Sequence, residues 1–159
     1  MIGRKLLRDM GATATKVGKQ MEAVARECAG HSDPTVKRIG EALGTSLAAL
    51  NETSQWIGMN AMGDLHTAFA CSVPYLRLWG TVAGGWQMAR AAQIAAAKIA
   101  DGDAEAEFYR AKVATAAFYA SHVLSQCAWY QRQIVEGSAD VLSLSDEQFD
   151  LDRKMTLSV

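Results

Sequence analysis

The chain has 159 residues, 50% hydrophobic and 21% charged, with a formal net charge of −1. That length suits one domain with a full core, and the near-zero charge leaves no electrostatic footprint for nucleic acid. Two prolines only, Pro34 and Pro74, many alanines and no β-branched runs argue for an all-α chain.

Apolar residues recur at alternating threes and fours, the helical period, in four long stretches. The first predicts a helix from about Leu6 to Ala29. Leu6, Met10, Ala14, Val17, Met21, Val24 and Cys28 form its stripe, Lys16, Lys19, Arg26 and Glu27 its wet side, and Gly11 a break. Arg4, Lys5 and Arg8 read as a solvated basic face, with contact to another domain as the functional alternative. Gly30 fits the position just past the helix end, His31 is a loop histidine without a partner, and Asp33-Pro34 fits an N-cap followed by proline in the first turn.

The second helix is expected from Pro34 to about Gly58, burying Val36, Ile39, Leu43, Leu47, Leu50 and Ile57, with Trp56 against the third helix. A short turn over 58–63 follows, and Asn60 or Asp64 caps the next helix.

The third helix, Ala61 to Ala100, is the longest, roughly 55–60 Å. One stripe is Leu65, Phe69, Leu76, Trp79, Ala83 and Trp86; a second is Cys71, Tyr75, Leu78, Val82, Gly85, Ala89, Ala92, Ala96 and Ile99. A helix with two apolar stripes must be covered on more than one side, which makes this one the central post of a bundle. Pro74 removes a backbone donor and predicts a kink near 70–73. Gly80, Gly84 and Gly85 each cost about 1 kcal/mol in a helix interior, which close approach of a neighbouring helix or ring offsets. Trp79 and Trp86, one heptad apart, read as core, with a cofactor face as the minor reading. Arg77 and Arg90 leave twelve uncharged residues between them, short of the ~20 a membrane span needs.

The fourth helix runs from about Ala104 to Glu136 after Asp101-Gly102-Asp103, with Glu105 and Glu107 in its first turn. Phe108, Ala111, Thr115, Phe118, His122, Gln126 and Trp129 form one face; Val113, Ala116, Ala120, Leu124, Cys127 and Ile134 form another. His122, among aromatics, reads as a hydrogen-bonded core residue. Gly137-Ser138 ends the helix, 139–144 makes a short turn, and Ser145 with Gln148 has capping-box spacing. The expected fold is all-α, an antiparallel up-down four-helix bundle with a long central helix and a short C-terminal helical turn: a domain over 1–149 and a flexible tail over 150–159.

Catalytic patterns are missing. No glutamate has histidine three residues on, as carboxylate-bridged metal pairs need, and His31, His66 and His122 stand on separate elements. There is no Cys-x-x-Cys and no Gly-x-Gly-x-x-Gly. Cys28, Cys71 and Cys127, odd in number and at apolar positions, read as reduced buried thiols of a cytoplasmic protein. Glu105, Glu107 and Glu136 lie near helix ends, where solvent keeps a carboxylate weakly basic. No catalytic, cofactor-binding or metal residue is assigned.

Tyr75-Leu76-Arg77-Leu78-Trp79-Gly80-Thr81-Val82-Ala83-Gly84-Gly85-Trp86 resembles the helical C-terminal domain of one branch of the acyl-CoA dehydrogenases, the 3-methylmercaptopropionyl-CoA dehydrogenases and related long bacterial fatty-acyl-CoA dehydrogenases. The likeness begins at Gly3-Arg4-Lys5-Leu6-Leu7-Arg8-Asp9, continues through 108–120 and His122-Val123-Leu124, and ends at Asp146-Glu147-Gln148-Phe149. In that branch the first segment follows a Tyr-Glu-Gly-Thr motif whose glutamate is the catalytic base; this sequence does not contain it. The resemblance implies an accessory domain whose upstream partners carry FAD and the base, and which packs on the catalytic body or across subunits as part of a homo-oligomer. The competing reading is a free-standing helical protein-interaction module. A reading frame that continues upstream of Met1 into Tyr-Glu-Gly-Thr separates the two.

Overall fold

A computed structural model describes Ile2, Asp9 and residues 11–149; Leu6 and Met10 of the first predicted stripe, Arg4, Lys5, Arg8 and the 150–159 tail lie outside these. Among the described residues there are helices and turns and no strand. The described residues form six α-helices: α1 (Ala12–Ala29), α2 (Pro34–Gly63), α3 (Leu65–Ala70), α4 (Ser72–Ala100), α5 (Ala106–Phe118) and α6 (Cys127–Val135).

The break at Gly11 is real: its φ of 78° is left-handed, and α1 starts one residue later. Gly30, by contrast, closes α1 at φ −87°, so no left-handed cap is used there. Asp33 caps α2 as expected: its Oδ1 accepts from Thr35 N at 2.7 Å and Val36 N at 3.1 Å. His31 has a partner after all, because its Nδ1 accepts from Asp33 N at 3.0 Å and fixes the loop that presents the cap.

The turn expected over 58–63 is not formed, and α2 runs on to Gly63. Met59, Ala61 and Met62 are good helix formers, and Asn60 donates from Nδ2 to Trp56 O at 2.8 Å, one turn back. Asp64 is the cap, accepting from His66 N at 2.9 Å. The single helix expected over 61–100 is therefore two. The proline ring clashes with the carbonyl four residues before it, and α3 stops at that residue, Ala70. Tyr75 N–H resumes the ladder to Cys71 O at 3.0 Å.

The centre is shared rather than held by one post. α4 packs on α1, α2, α5 and α6, and α2 packs on every other α-helix. The α2 residues expected inside are all buried, and so are Cys71, just ahead of α4, and Tyr75, Leu78, Val82, Gly85, Ala89 and Ala92 on α4. Helices α1 and α2 double back so closely that a Cβ on Gly40 meets Ala29 N, lies 2.6 Å from Cys28 Cβ and 2.7 Å from Ala25 O.

The last long helix spans what its period predicts but is interrupted. A π turn over Tyr119–Val123 and a 3-10 turn over Leu124–Gln126 separate α5 from α6. Leu124 N bonds to Tyr119 O, five residues back. Tyr119 seats its phenol on Gly84 and donates to Thr81 O at 3.0 Å; Leu124 seats on Gly85, where a Cβ would lie 2.6 Å from its Cδ2. In an unbroken α-helix two residues five apart point about 140° away from each other. The wider π turn brings both side chains onto α4.

The three α4 glycines therefore differ. Gly84→Ala drives a Cβ into the Tyr119 ring, 2.9 Å from Cζ, and is expected to cost about 1–3 kcal/mol. Gly80 has no neighbour within 4 Å, so Gly80→Ala is expected to stabilise by about 1 kcal/mol. Urea unfolding followed by circular dichroism should give opposite shifts of midpoint for the two. By the same measurement Asp33→Ala should lose about 1 kcal/mol with its two cap hydrogen bonds.

Candidate functional site

The three histidines lie on separate elements. His31 lies in the loop between α1 and α2, His66 in the first turn of α3, and His122 in the π turn. Glu105 precedes α5, Glu107 pairs with Arg110, and Glu136 accepts from Arg132 Nε at 2.8 Å at the other end of the α5–α6 arm. Among the described residues no three His, Cys, Asp or Glu side chains cluster to hold a metal ion. No helix of the described chain is long and apolar enough to cross a membrane.

Trp79 and Trp86 are half-buried and pack against the core. Their Nε1 atoms are buried, with no hydrogen-bond acceptor among the described residues. Arg90 lies over the Trp86 ring, 5.5 Å from its centroid. Tyr75, fully buried beneath, shares a 2.8 Å hydrogen bond with Ser54. Burial pushes the Tyr75 phenol up, and the Ser54 contact pulls the other way.

The cysteines are free, buried and inert. Burial, aided by the Glu27 carboxylate, pushes the Cys28 thiol up to about 11, and its Sγ–H donates to Ala89 O at 3.8 Å. Burial raises Cys71 and Cys127 as well. A thiol in such surroundings is a small hydrophobe and not a nucleophile.

An open groove of about 440 Å³ runs between α2 and α6, floored by Ala42, Ser46, Ala49, Ala120, Leu124 and Ala128. Gln131 Nε2 donates to Glu52 Oε2 at 2.7 Å beside it. Ser46 spends its hydroxyl on Ala42 O at 2.9 Å and Leu124 O at 3.4 Å, within the bundle. Sequence reasoning missed the groove because its walls come from helices about 80 residues apart.

The surface departs most from expectation in what it exposes. The α5–α6 face expected to be buried is at the surface throughout: Phe108, Ala111, Thr115, Phe118, His122, Gln126 and Trp129 are all exposed. His122 is therefore no core histidine; it stacks on Phe118 with centroids 4.5 Å apart. The first stripe of the expected third helix, now divided between α3 and α4, is also left open at its start, where Leu65, Phe69 and Leu76 are 49%, 46% and 57% exposed. Both stripes have the helical period, which marks a covered face without saying what covers it. Their opposite faces, Ala116 to Ile134 and Cys71 to Ala92, already fill the core.

The chain matches the family described as Acetyl-CoA dehydrogenase C-terminal like over residues 6–145. It belongs to that family. It is also 34% identical over 145 residues to the 3-methylmercaptopropionyl-CoA dehydrogenase of Ruegeria pomeroyi (strain ATCC 700808 / DSM 15171 / DSS-3). The match takes in 91% of this chain and 24% of that dehydrogenase, its C-terminal part. This member of the C-terminal-like family thus spans about a quarter of the curated relative it matches. The stretch Tyr75–Trp86, which carries the resemblance, is the part of α4 whose glycines receive Tyr119 and Leu124.

The buried thiols set a pH dependence. The native state holds the Cys28 proton up to about 11, against 9.0 for an unperturbed thiol, so the unfolded chain releases it first. The contribution of this thiol should be constant from neutral pH to about 9 and be lost as pH rises through about 11, read as the urea midpoint across that range. Ellman's reagent at neutral pH should find all three thiols only after denaturant is added.

Proposed function

We propose that this chain is the C-terminal accessory domain of an FAD-dependent acyl-CoA dehydrogenase, with a structural, interface-forming role and no catalytic residue of its own. The observation that carries this reading is the match of nearly the whole chain to the C-terminal quarter of a dehydrogenase. The parent reaction is α,β-desaturation of an acyl-CoA thioester, in which a base removes the α proton and FAD accepts the β hydride. Those roles fall to other domains. The residues present here do not fit a flavin: the α2–α6 groove is open and has no aromatic or basic side chain in its lining, and its one buried hydroxyl is already spent inside the bundle.

The exposed stripes support an interface role. Phe118, at 60%, and Leu76, at 57%, leave more large apolar surface than a self-contained domain needs, and the catalytic body or another subunit would cover it. The pairings Glu22 with Asn51, Cys28 with Ala89 and Thr81 with Tyr119 support an up-down arrangement of α1, α2, α4 and the α5–α6 arm. Three reduced thiols support a cytoplasmic location.

Purified with excess FAD, residues 1–159 are expected to be colourless and to reduce no dye with any acyl-CoA. Desaturation needs base and flavin in fixed register, and a chain that joins this domain to upstream flavin-binding domains should regain both flavin and turnover. Stoichiometric flavin absorbance, or turnover above background, from the isolated chain would overturn the assignment.

A further inference from the structure

We propose that residues 151–159 of this chain dock on an apolar patch formed by α3 and the segment 139–149. The 3-10 turn at Asp140–Leu142 packs on α3. Leu65 and Phe69 on α3 are exposed, and so are Val141, Leu142, Leu144 and Phe149. No residue from 139 to 149 is buried, yet the segment is shaped locally: Gln148 Oε1 accepts from Ser145 N at 2.8 Å, the capping-box contact. A segment held in shape with four large apolar side chains in water lacks its cover.

Charge says what the cover carries. Asp64, Asp140, Asp146 and Glu147 neighbour the apolar positions in sequence, and the three ion pairs among the described residues use none of them. From Gln133 to Asp152 the sequence has six carboxylates and no cation, and Arg153 and Lys154 follow at once. Behind them Met155-Thr156-Leu157-Ser158-Val159 alternates apolar and polar, so an extended path sets its three apolar side chains on one side. Two cations beside an apolar strip complement an apolar patch with an acidic rim.

Reach and tethering favour this occupant over a separate one. Leu151 follows Phe149, itself part of the patch, by two residues. Nine extended residues span up to about 30 Å, while α3, with six residues, is about 9 Å long. A segment tethered so closely meets the patch at an effective concentration of order millimolar, so a contact too weak for a free partner still fills it. Docked there, it shields this end of the domain from non-specific association.

The inference does not depend on the dehydrogenase assignment, and flavin plays no part in its readout, so either can fail alone. Residues 1–159 carrying Phe69→Cys and Leu157→Cys, oxidised at low micromolar concentration, should form an internal disulfide. The rate should be at least about tenfold above that of Phe108→Cys with Leu157→Cys, whose first cysteine lies on α5, away from the patch. Phe69 and Phe108 are exposed, so helicity by circular dichroism should not change, and the native thiols are buried and do not interfere. Adding Arg153→Glu and Lys154→Glu should slow the Phe69→Cys link about two- to fivefold, and high salt should also slow it. Equal rates at the two positions, a rate indifferent to the charge reversal, or linked dimers in place of the internal bond would each overturn the proposal, the last by giving the patch to a second copy.

Discussion

The approach of Tyr119 and Leu124 to Gly84 and Gly85 governs the second half of the molecule. Two adjacent glycines on α4 leave a trough, and a phenol and a leucine fill it. The Tyr119 hydroxyl then reaches the backbone at Thr81. Because the two large residues are five apart, the helix carrying them cannot remain α-helical and still seat both. It widens to a π turn and tightens again before α6 begins. The trough fixes the rotation of the arm, and with it which side chains point inward.

That rotation explains the division of the arm into a buried and an open face. Ala116, Ala120, Leu124, Cys127 and Ile134 turn toward α2 and α4, and Phe108, Phe118 and Trp129 turn to solvent. A core built from alanine and leucine on this side has no room for the aromatic rings. The α2–α6 groove has the same origin, since alanines on both walls let the backbones lie near without filling the gap.

The first half is organised by a different close approach. Gly40 lets α2 lie on α1 at Ala25, Cys28 and Ala29. Cys28 in turn reaches the Ala89 carbonyl on α4. The domain thus has two tight crossings, each depending on glycine, with ordinary leucine and isoleucine packing between them. Its histidines stand on separate elements and its thiols lie in the core.

The sequence by itself determined the helices, the Asp33 cap, the kink ahead of Pro74 and the main buried stripes, because these depend on local geometry and on a 3.6-residue period. It also carried the family, through the glycine- and tryptophan-rich stretch of α4. The fate of the aromatic stripes was decided only by the tertiary structure. Phe108, Phe118, His122 and Trp129 have the spacing of a buried face, and period alone cannot separate a face covered by the same chain from one left for a partner. The π turn was equally hidden, since no proline or glycine marks it. It arises because Tyr119 and Leu124 both find their sites on a helix more than thirty residues away, and no local signal encodes a contact at that distance.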